Sequence, residues 1–143
     1  MSPQASRARR HADRGDEAVD ELSTVFPSIA PSAANARRFV AASLRRWGCS
    51  DDFIELVLLL TSELVTNAYR HASTDTHVSV RLDGDCARIE VRDVGSGEPE
   101  LRPLNTDRVD GRGLQIVDAL ADRWGYHSNP SGTAVWFELV RQP

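Results

Sequence analysis

The stretch HVSVRLDGDCARIEVRDVGSG, residues 77–97, decides the fold. Val78, Val80 and Leu82 alternate with His77, Ser79 and Arg81. After Asp83-Gly84-Asp85 the two-residue period returns, with Ala87, Ile89 and Val91 on one side and Arg88, Glu90 and Arg92 on the other. Such alternation marks strands with one face covered, and an Asp-Gly turn between two of them closes a hairpin. Asp93 keeps the parity of Ala87, Ile89 and Val91, so it ends its strand on the covered face. A carboxylate there needs donors, because burying a polar group unpaired costs about 2–7 kcal/mol. It accepts hydrogen bonds only, so an amino group such as that of adenine is a natural partner. Gly95 and Gly97 follow, and glycine lets backbone come close to a ligand.

Upstream, the pattern predicts two helices. Ser32 caps the first, which runs to about Trp47 with Ala36, Phe39, Val40, Leu44 and Trp47 on one stripe and ends at Gly48. Asp51 or Asp52 caps the second, which runs to about His71 and is apolar nearly all round from Ile54 to Val65, as in a helix buried between other elements. Glu63 and Asn67 are four residues apart and share one face of it. They either bond local structure or face a polar ligand, where the amide oxygen suits Mg²⁺ and the carboxylate suits proton abstraction. His71 extends that face, either into the pocket or as a favourable charge at the helix end.

Downstream, residues 94–112 read as a long loop. Gly111-Arg112-Gly113 then opens a helix from Leu114 to Asp122. A helix start with free N–H groups attracts anions, and glycines let phosphate approach. Arg108 and Arg112 flank that start, as phosphate clamps or as solvated loop charges. Arg123–Ser128 and Thr133–Val140 form a last hairpin, where Thr133 either offers a hydroxyl to the site or ends a tight turn.

Composition narrows the classes. A chain of 143 residues with 41% hydrophobic and 27% charged residues is one soluble domain with room for a core. Residues 1–20 are expected to be a disordered tail, Leu22–Phe26 a short edge strand, and 21–143 a single domain. No apolar run or signal-like segment points to a membrane, so a cytoplasmic setting is the default. A net charge of −4 gives no reason to expect direct nucleic-acid binding. Cys49 and Cys86 read as buried free thiols. All 17 basic side chains counted as Lys or Arg are Arg, so a lysine-based phosphate loop and Schiff-base chemistry are excluded. Alternating strands with about three helices give a two-layer α/β sandwich.

In this order, Glu63–Ala72, Asp93–Gly97 and Gly111–Leu114 resemble the N box and the two glycine boxes of the Bergerat-type (GHKL) ATPases, the group of histidine kinases and gyrase-type topoisomerases. Within it, roughly residues 22–140 are similar to the stand-alone anti-sigma factor serine/threonine kinases and to small actinobacterial ATP-binding regulators. The resemblance implies a histidine-kinase-type fold with a mixed, mostly antiparallel sheet, and ATP with Mg²⁺ as ligands. It implies Glu63 as general base, Asn67 as Mg²⁺ ligand through the ATP phosphates and Asp93 as adenine reader. Gly95, Gly97, Gly111 and Gly113 would shape pocket and lid, and Thr133 would be a phosphate-side threonine. His71, Arg108, Arg112 and Leu114 complete the candidate set.

The implied partners are a small STAS-type anti-sigma antagonist, phosphorylated on Ser or Thr, and a sigma factor, with homodimerisation common in the family. The alternative is a non-catalytic, nucleotide-gated module that sequesters a sigma factor or another regulator. The only histidine upstream is His11, in a stretch without apolar periodicity, which argues against a sensor histidine kinase. The lid between Gly97 and Gly111 is short, which bears on turnover more than on binding.

Overall fold

The computed structural model describes residues 7–13, 17–27, 32–71, 75–93, 111–129 and 132–142. Its core is the predicted hairpin, β3 (Thr76–Asp83) and β4 (Cys86–Asp93), paired antiparallel with Val78 opposite Val91 and Val80 opposite Ile89. The next pair is β5 (Arg123–Asn129) and β6 (Gly132–Val140), with β6 lying beside β4 so that Ile89 faces Phe137. On the other side come β2 (Glu17–Phe26) and β1 (Arg7–Asp13), giving the order β1-β2-β3-β4-β6-β5. All described pairings are antiparallel, within the mostly antiparallel sheet expected.

The N-terminal reading needs correction. Residues 7–13 and 17–20, expected in a disordered tail, pair as strands, and Leu22–Phe26 belongs to a longer strand that lies inside the sheet rather than at its edge. The reason is physical: β1 reads RARRHAD and joins the sheet by main-chain pairing, without the apolar alternation that reveals a strand in sequence. In β2, Thr24 and Phe26 are buried and Leu22 packs on the core, in register with Val78, Thr76 and Val80 respectively.

One face of the sheet carries three helices: α1 (Ser32–Arg46), α2 (Asp51–His71) and α3 (Gly111–Leu120). Val40 and Leu44 of α1, Val57 and Leu60 of α2 and Val117 of α3 are buried with Val78, Val80, Ile89, Val91 and Phe137 of the sheet. Full burial of each such side chain contributes about 1.5–3 kcal/mol, so this contact layer holds the sandwich together. The opposite face is polar. There the Arg88 guanidinium lies 3.9 Å from the centre of the Trp136 ring and pairs with Glu138 at 3.0 Å.

Helix ends are set by local chemistry. Gly48, at φ 86°, closes α1: its N–H reaches the carbonyl of Arg45, and that of Cys49 reaches the carbonyl of Leu44. Ser50, not Asp51 or Asp52, caps α2, its Oγ accepting the Phe53 N–H at 3.2 Å while the two aspartates favour the first turn electrostatically. Ser32 begins α1, and its hydroxyl donates to the Pro27 carbonyl at 2.6 Å. Of the two thiols Cys49 is buried and Cys86 only half-buried, and desolvation raises the pKa of both. Among the described residues, no helix is long and apolar enough to cross a membrane.

Candidate functional site

Hydrogen bonds give the sandwich two distinct ends. At one, Arg141 donates its main-chain N–H to the Asp85 carbonyl at 2.8 Å and its Nε to the Asp85 carboxylate at 3.1 Å. Its Nη1 reaches Cys49 Sγ at 3.6 Å. At the same end, Asp122 bonds Glu138 by its main-chain N–H and accepts the Val140 N–H on Oδ2. The β3–β4 turn, the junction of α1 and α2, and the C-terminal end of α3 therefore meet there.

The other end follows from element lengths. From Ser50, α2 climbs about 1.5 Å per residue and reaches Asn67 after about 25 Å. From Cys86, β4 reaches Asp93 after about 23 Å. These two elements pack on each other, so Asn67 and Asp93 come to a similar level. Helix α3 ends beside Glu138, so its start at Gly111 lies about 15 Å back toward the Asp93 end. The described parts of the three segments, Asn67 on α2, the Asp93 end of β4 and the start of α3, thus lie toward one end of the sheet.

Asp93 is buried, at 9% exposure, as its parity required. Its Oδ1 accepts the Thr133 main-chain N–H at 2.7 Å. Gly132, at φ 142°, lies so close that a Cβ on it would overlap that oxygen and come within 2.7 Å of the Asp93 carbonyl. Among the described residues nothing donates to Oδ2, which leaves a buried carboxylate with one oxygen fixed and one open. Asn67 is buried at 8% exposure. Glu63, one turn earlier, is half-buried and has no ion-pair or hydrogen-bond partner among the described residues.

Other expected site residues are placed less fully. The main chain of Gly111, Arg112 and Gly113 forms the first turn of α3, and Leu114 is buried in the core. His71 is the last residue of α2, and its side chain falls outside the described set, as does that of Arg112. Gly95, Gly97 and Arg108 lie outside the described residues. Thr133, expected on the phosphate side, has its main-chain N–H bound to the Asp93 carboxylate.

Two residues of this region escaped the sequence reading. Gly132 precedes Thr133 at the hairpin end, and its left-handed φ was hidden in an ordinary-looking Ser-Gly-Thr turn. Thr76 begins β3 one residue earlier than the alternation suggested. It is buried at 6% exposure, directly opposite Asp93. Its signal was available, because Thr76 shares the parity of Val78 and Val80.

The fold, with a buried carboxylate at a strand end and an amide on the adjoining helix, is that of one known family. The chain belongs to the histidine kinase-like ATPase domain family, whose pattern matches residues 26–139. It is 27% identical over 130 residues to an anti-sigma F factor of Bacillus licheniformis, an alignment covering 81% of this chain and 89% of the relative. The anti-sigma F factor of a second strain of that species matches equally, at 27% identity over 130 residues. Among solved structures, the chain is similar to the RsbU and RsbW domains of Rv1364c from Mycobacterium tuberculosis, with a TM-score of 0.65 at 20% identity. That match covers 84% of this chain and 31% of the solved one, and at this identity it shows the fold alone.

Proposed function

We propose that this chain binds Mg²⁺-ATP and transfers its terminal phosphoryl group to a serine or threonine of a small antagonist protein. The carrying observation is the Asp93 carboxylate, buried, fixed on one oxygen by Thr133 and, among the described residues, without a donor on the other. An acceptor-only group in that setting suits the amino group of adenine. Family membership and the likeness to anti-sigma F factors support the same reading. The donor set fits the ligand along its length: Asp93 for the base, Asn67 for the metal, and the α3 start for phosphate.

When bound, Mg²⁺-ATP supplies the phosphoryl group and a cation that neutralises its charge. The chain's own residues do the rest. The Asn67 amide oxygen would hold the metal, a hard-ligand role that amide oxygens fill well. Main-chain N–H groups of Gly111–Gly113 and the α3 dipole would hold phosphate oxygens, with Arg108 and Arg112 as side-chain clamps. Glu63 takes the proton from the attacking hydroxyl, a role that a carboxylate without a competing partner is free to perform. The acceptor would be a STAS-type antagonist, and a sigma factor would be the protein held and released.

The test is titration with ATP and Mg²⁺, followed by incubation of labelled nucleotide with the cognate antagonist. Asp93→Asn should abolish binding, because the amide keeps its oxygen on the Thr133 N–H and turns an NH₂ toward the adenine amino group. Glu63→Ala should bind normally and transfer no label. If wild type binds ATP and label never reaches a partner, the protein is the nucleotide-gated sequestering module instead. If wild type binds no ATP, the nucleotide reading itself is wrong.

A further inference from the structure

The helix layer divides by charge. Helix α1 carries Arg37, Arg38, Arg45 and Arg46 and no acidic residue. From Asp51 to Tyr69, α2 carries Asp51, Asp52, Glu55 and Glu63 and no basic residue, and Leu114–Asp122 adds Asp118 and Asp122, again with no basic one. Exposed apolar side chains gather on the acidic side. Among the large hydrophobic residues described as exposed, Leu59 lies on α2 at 45% exposure, and Ile116 and Leu120 lie on α3 at 36% and 44%.

The geometry places these three along one strip. Helices α2 and α3 pack on each other, with α3 beside β5 and α2 beside β4 and β6. On α3, Leu114 and Val117 are buried in the core, and the Trp124 Nε1–H of β5 donates to Asp118 Oδ1 at 2.8 Å. At about 100° per residue, Ile116 and Leu120 each lie about 160° round the helix from Asp118, on the flank away from β5 and toward α2. Leu59 stands on the solvent side of α2, turned away from the buried Val57, Leu60 and Leu64.

Heights agree as well. Leu59 lies about 13 Å along α2 from Ser50. Asp122 is bonded to Glu138, whose partner Arg88 lies about 7 Å along β4 from Cys86. Ile116 is reached a further turn or so back along α3, at about 13–15 Å. Packed helices have axes about 8–10 Å apart, so one helix laid between α2 and α3 touches Leu59, Ile116 and Leu120 together. Asp52 and Glu55, both exposed and without an ion pair among the described residues, border this strip on α2.

Charge decides the occupant. Nucleic acid and anionic membranes are repelled by an acidic border. The longest segment outside the described residues, 94–110, carries Glu98, Glu100, Asp107 and Asp110 against Arg102 and Arg108, so its sign is also wrong. A second copy would have to offer its basic helix α1, whose apolar residues Val40 and Leu44 are wholly buried in its own core. An apolar strip with an acidic border suits a helix with apolar residues at every third or fourth position and Lys or Arg on its flanks.

We propose that the α2–α3 strip is a docking surface for a basic amphipathic helix of a partner protein. It lies about 10 Å short of Asp93 along the sheet and does not rest on the nucleotide reading.

The test is fluorescence-anisotropy titration of the full chain with a labelled synthetic helical peptide that has leucines at every third or fourth position and lysines on both flanks. A glutamate-flanked peptide and a shuffled one without the apolar stripe are the comparisons. The lysine-flanked peptide should bind at least about tenfold more tightly than either, and its binding should weaken between about 0.05 and 0.5 M salt. Leu59→Asn and Ile116→Gln should each weaken it at least about fivefold, and Glu55→Arg by a similar factor. All three replace exposed side chains, so melting temperatures should stay within about 2 °C of wild type, which separates lost docking from lost folding.

Absence of binding by the lysine-flanked peptide overturns the proposal, as does equal binding of all three peptides. So does equal binding of the lysine-flanked peptide to wild type and to the Leu59→Asn, Ile116→Gln double variant. A dimer in sedimentation equilibrium that Leu59→Asn dissolves would make a second copy the occupant and overturn it too. Peptide binding that follows the expected pattern in a protein that binds no ATP would support this surface while removing the nucleotide reading alone.

Discussion

Single residues at the Asp93 end act through each other's main chain. Gly132 has a φ that side chains rarely adopt, and its missing Cβ is the space that Asp93 Oδ1 occupies. Gly132→Ala should therefore cost roughly 1–3 kcal/mol of stability through strain. It should also weaken ATP binding by at least about tenfold, because the carboxylate must turn away from the Thr133 N–H. Denaturant midpoints and ATP titrations check the two effects, and wild-type affinity in Gly132→Ala would contradict the link to Asp93. On the outer face, His77 titrates below its ordinary value of 6.5, held down by burial and by Arg92 across the strand pair, against a smaller upward pull from Glu90. A depressed histidine pKa means that the unfolded chain binds the proton more tightly, so stability is full above about pH 6.5 and is lost as pH falls through the folded value. Melting temperatures should drop more in wild type than in His77→Gln between about pH 7.5 and 5.5, and parallel curves would contradict this.

Elements were legible where periodicity carried them. The β3–β4 and β5–β6 hairpins and α1 to α3 could be read because each buries one side of a regular pattern, which sequence displays directly. Strand β1 could not, since its place depends on backbone pairing with β2, and β2 was cut short because Glu17–Glu21 mixes charge with a few apolar residues. The burial of Asp93 followed from parity and the shared face of Glu63 and Asn67 from helix spacing, whereas the close approach of Gly132 to Asp93 and the place of Thr76 opposite it depend on cross-strand register. The α1–α2 junction shows how local such information is. Gly48 has open space around its Cα, so Gly48→Ala pays only for a left-handed backbone, about 1–2 kcal/mol. Ser50→Ala should cost about 1 kcal/mol by removing the acceptor for the Phe53 N–H. Denaturant midpoints check both, and a neutral Ser50→Ala would hand the cap back to Asp51 or Asp52.

At the scale of the whole molecule, the two ends divide the work. One is tied by Arg141, which joins the β3–β4 turn to the α1–α2 junction through Asp85 and Cys49. The other gathers the buried polar groups Asn67, Thr76 and Asp93 near the start of α3. A buried polar group is tolerated where something satisfies it, so under the proposed function the second end is where a ligand would bind while the first closes the fold. The ends lie about 23 Å apart along β4, beyond the distance at which substitutions usually couple. Arg141→Ala should then lower the melting temperature by about 3 °C, for a partly exposed ion pair worth about 1 kcal/mol. Mg²⁺-ATP at about 100 times its dissociation constant should add about 2.7 kcal/mol to the folded state, a rise of about 5–10 °C. That rise should be the same in Arg141→Ala as in wild type and should vanish in Asp93→Asn. A smaller rise in Arg141→Ala would mean that the tied end sets the geometry of the binding end through the elements that span both, α2 and β4 among them.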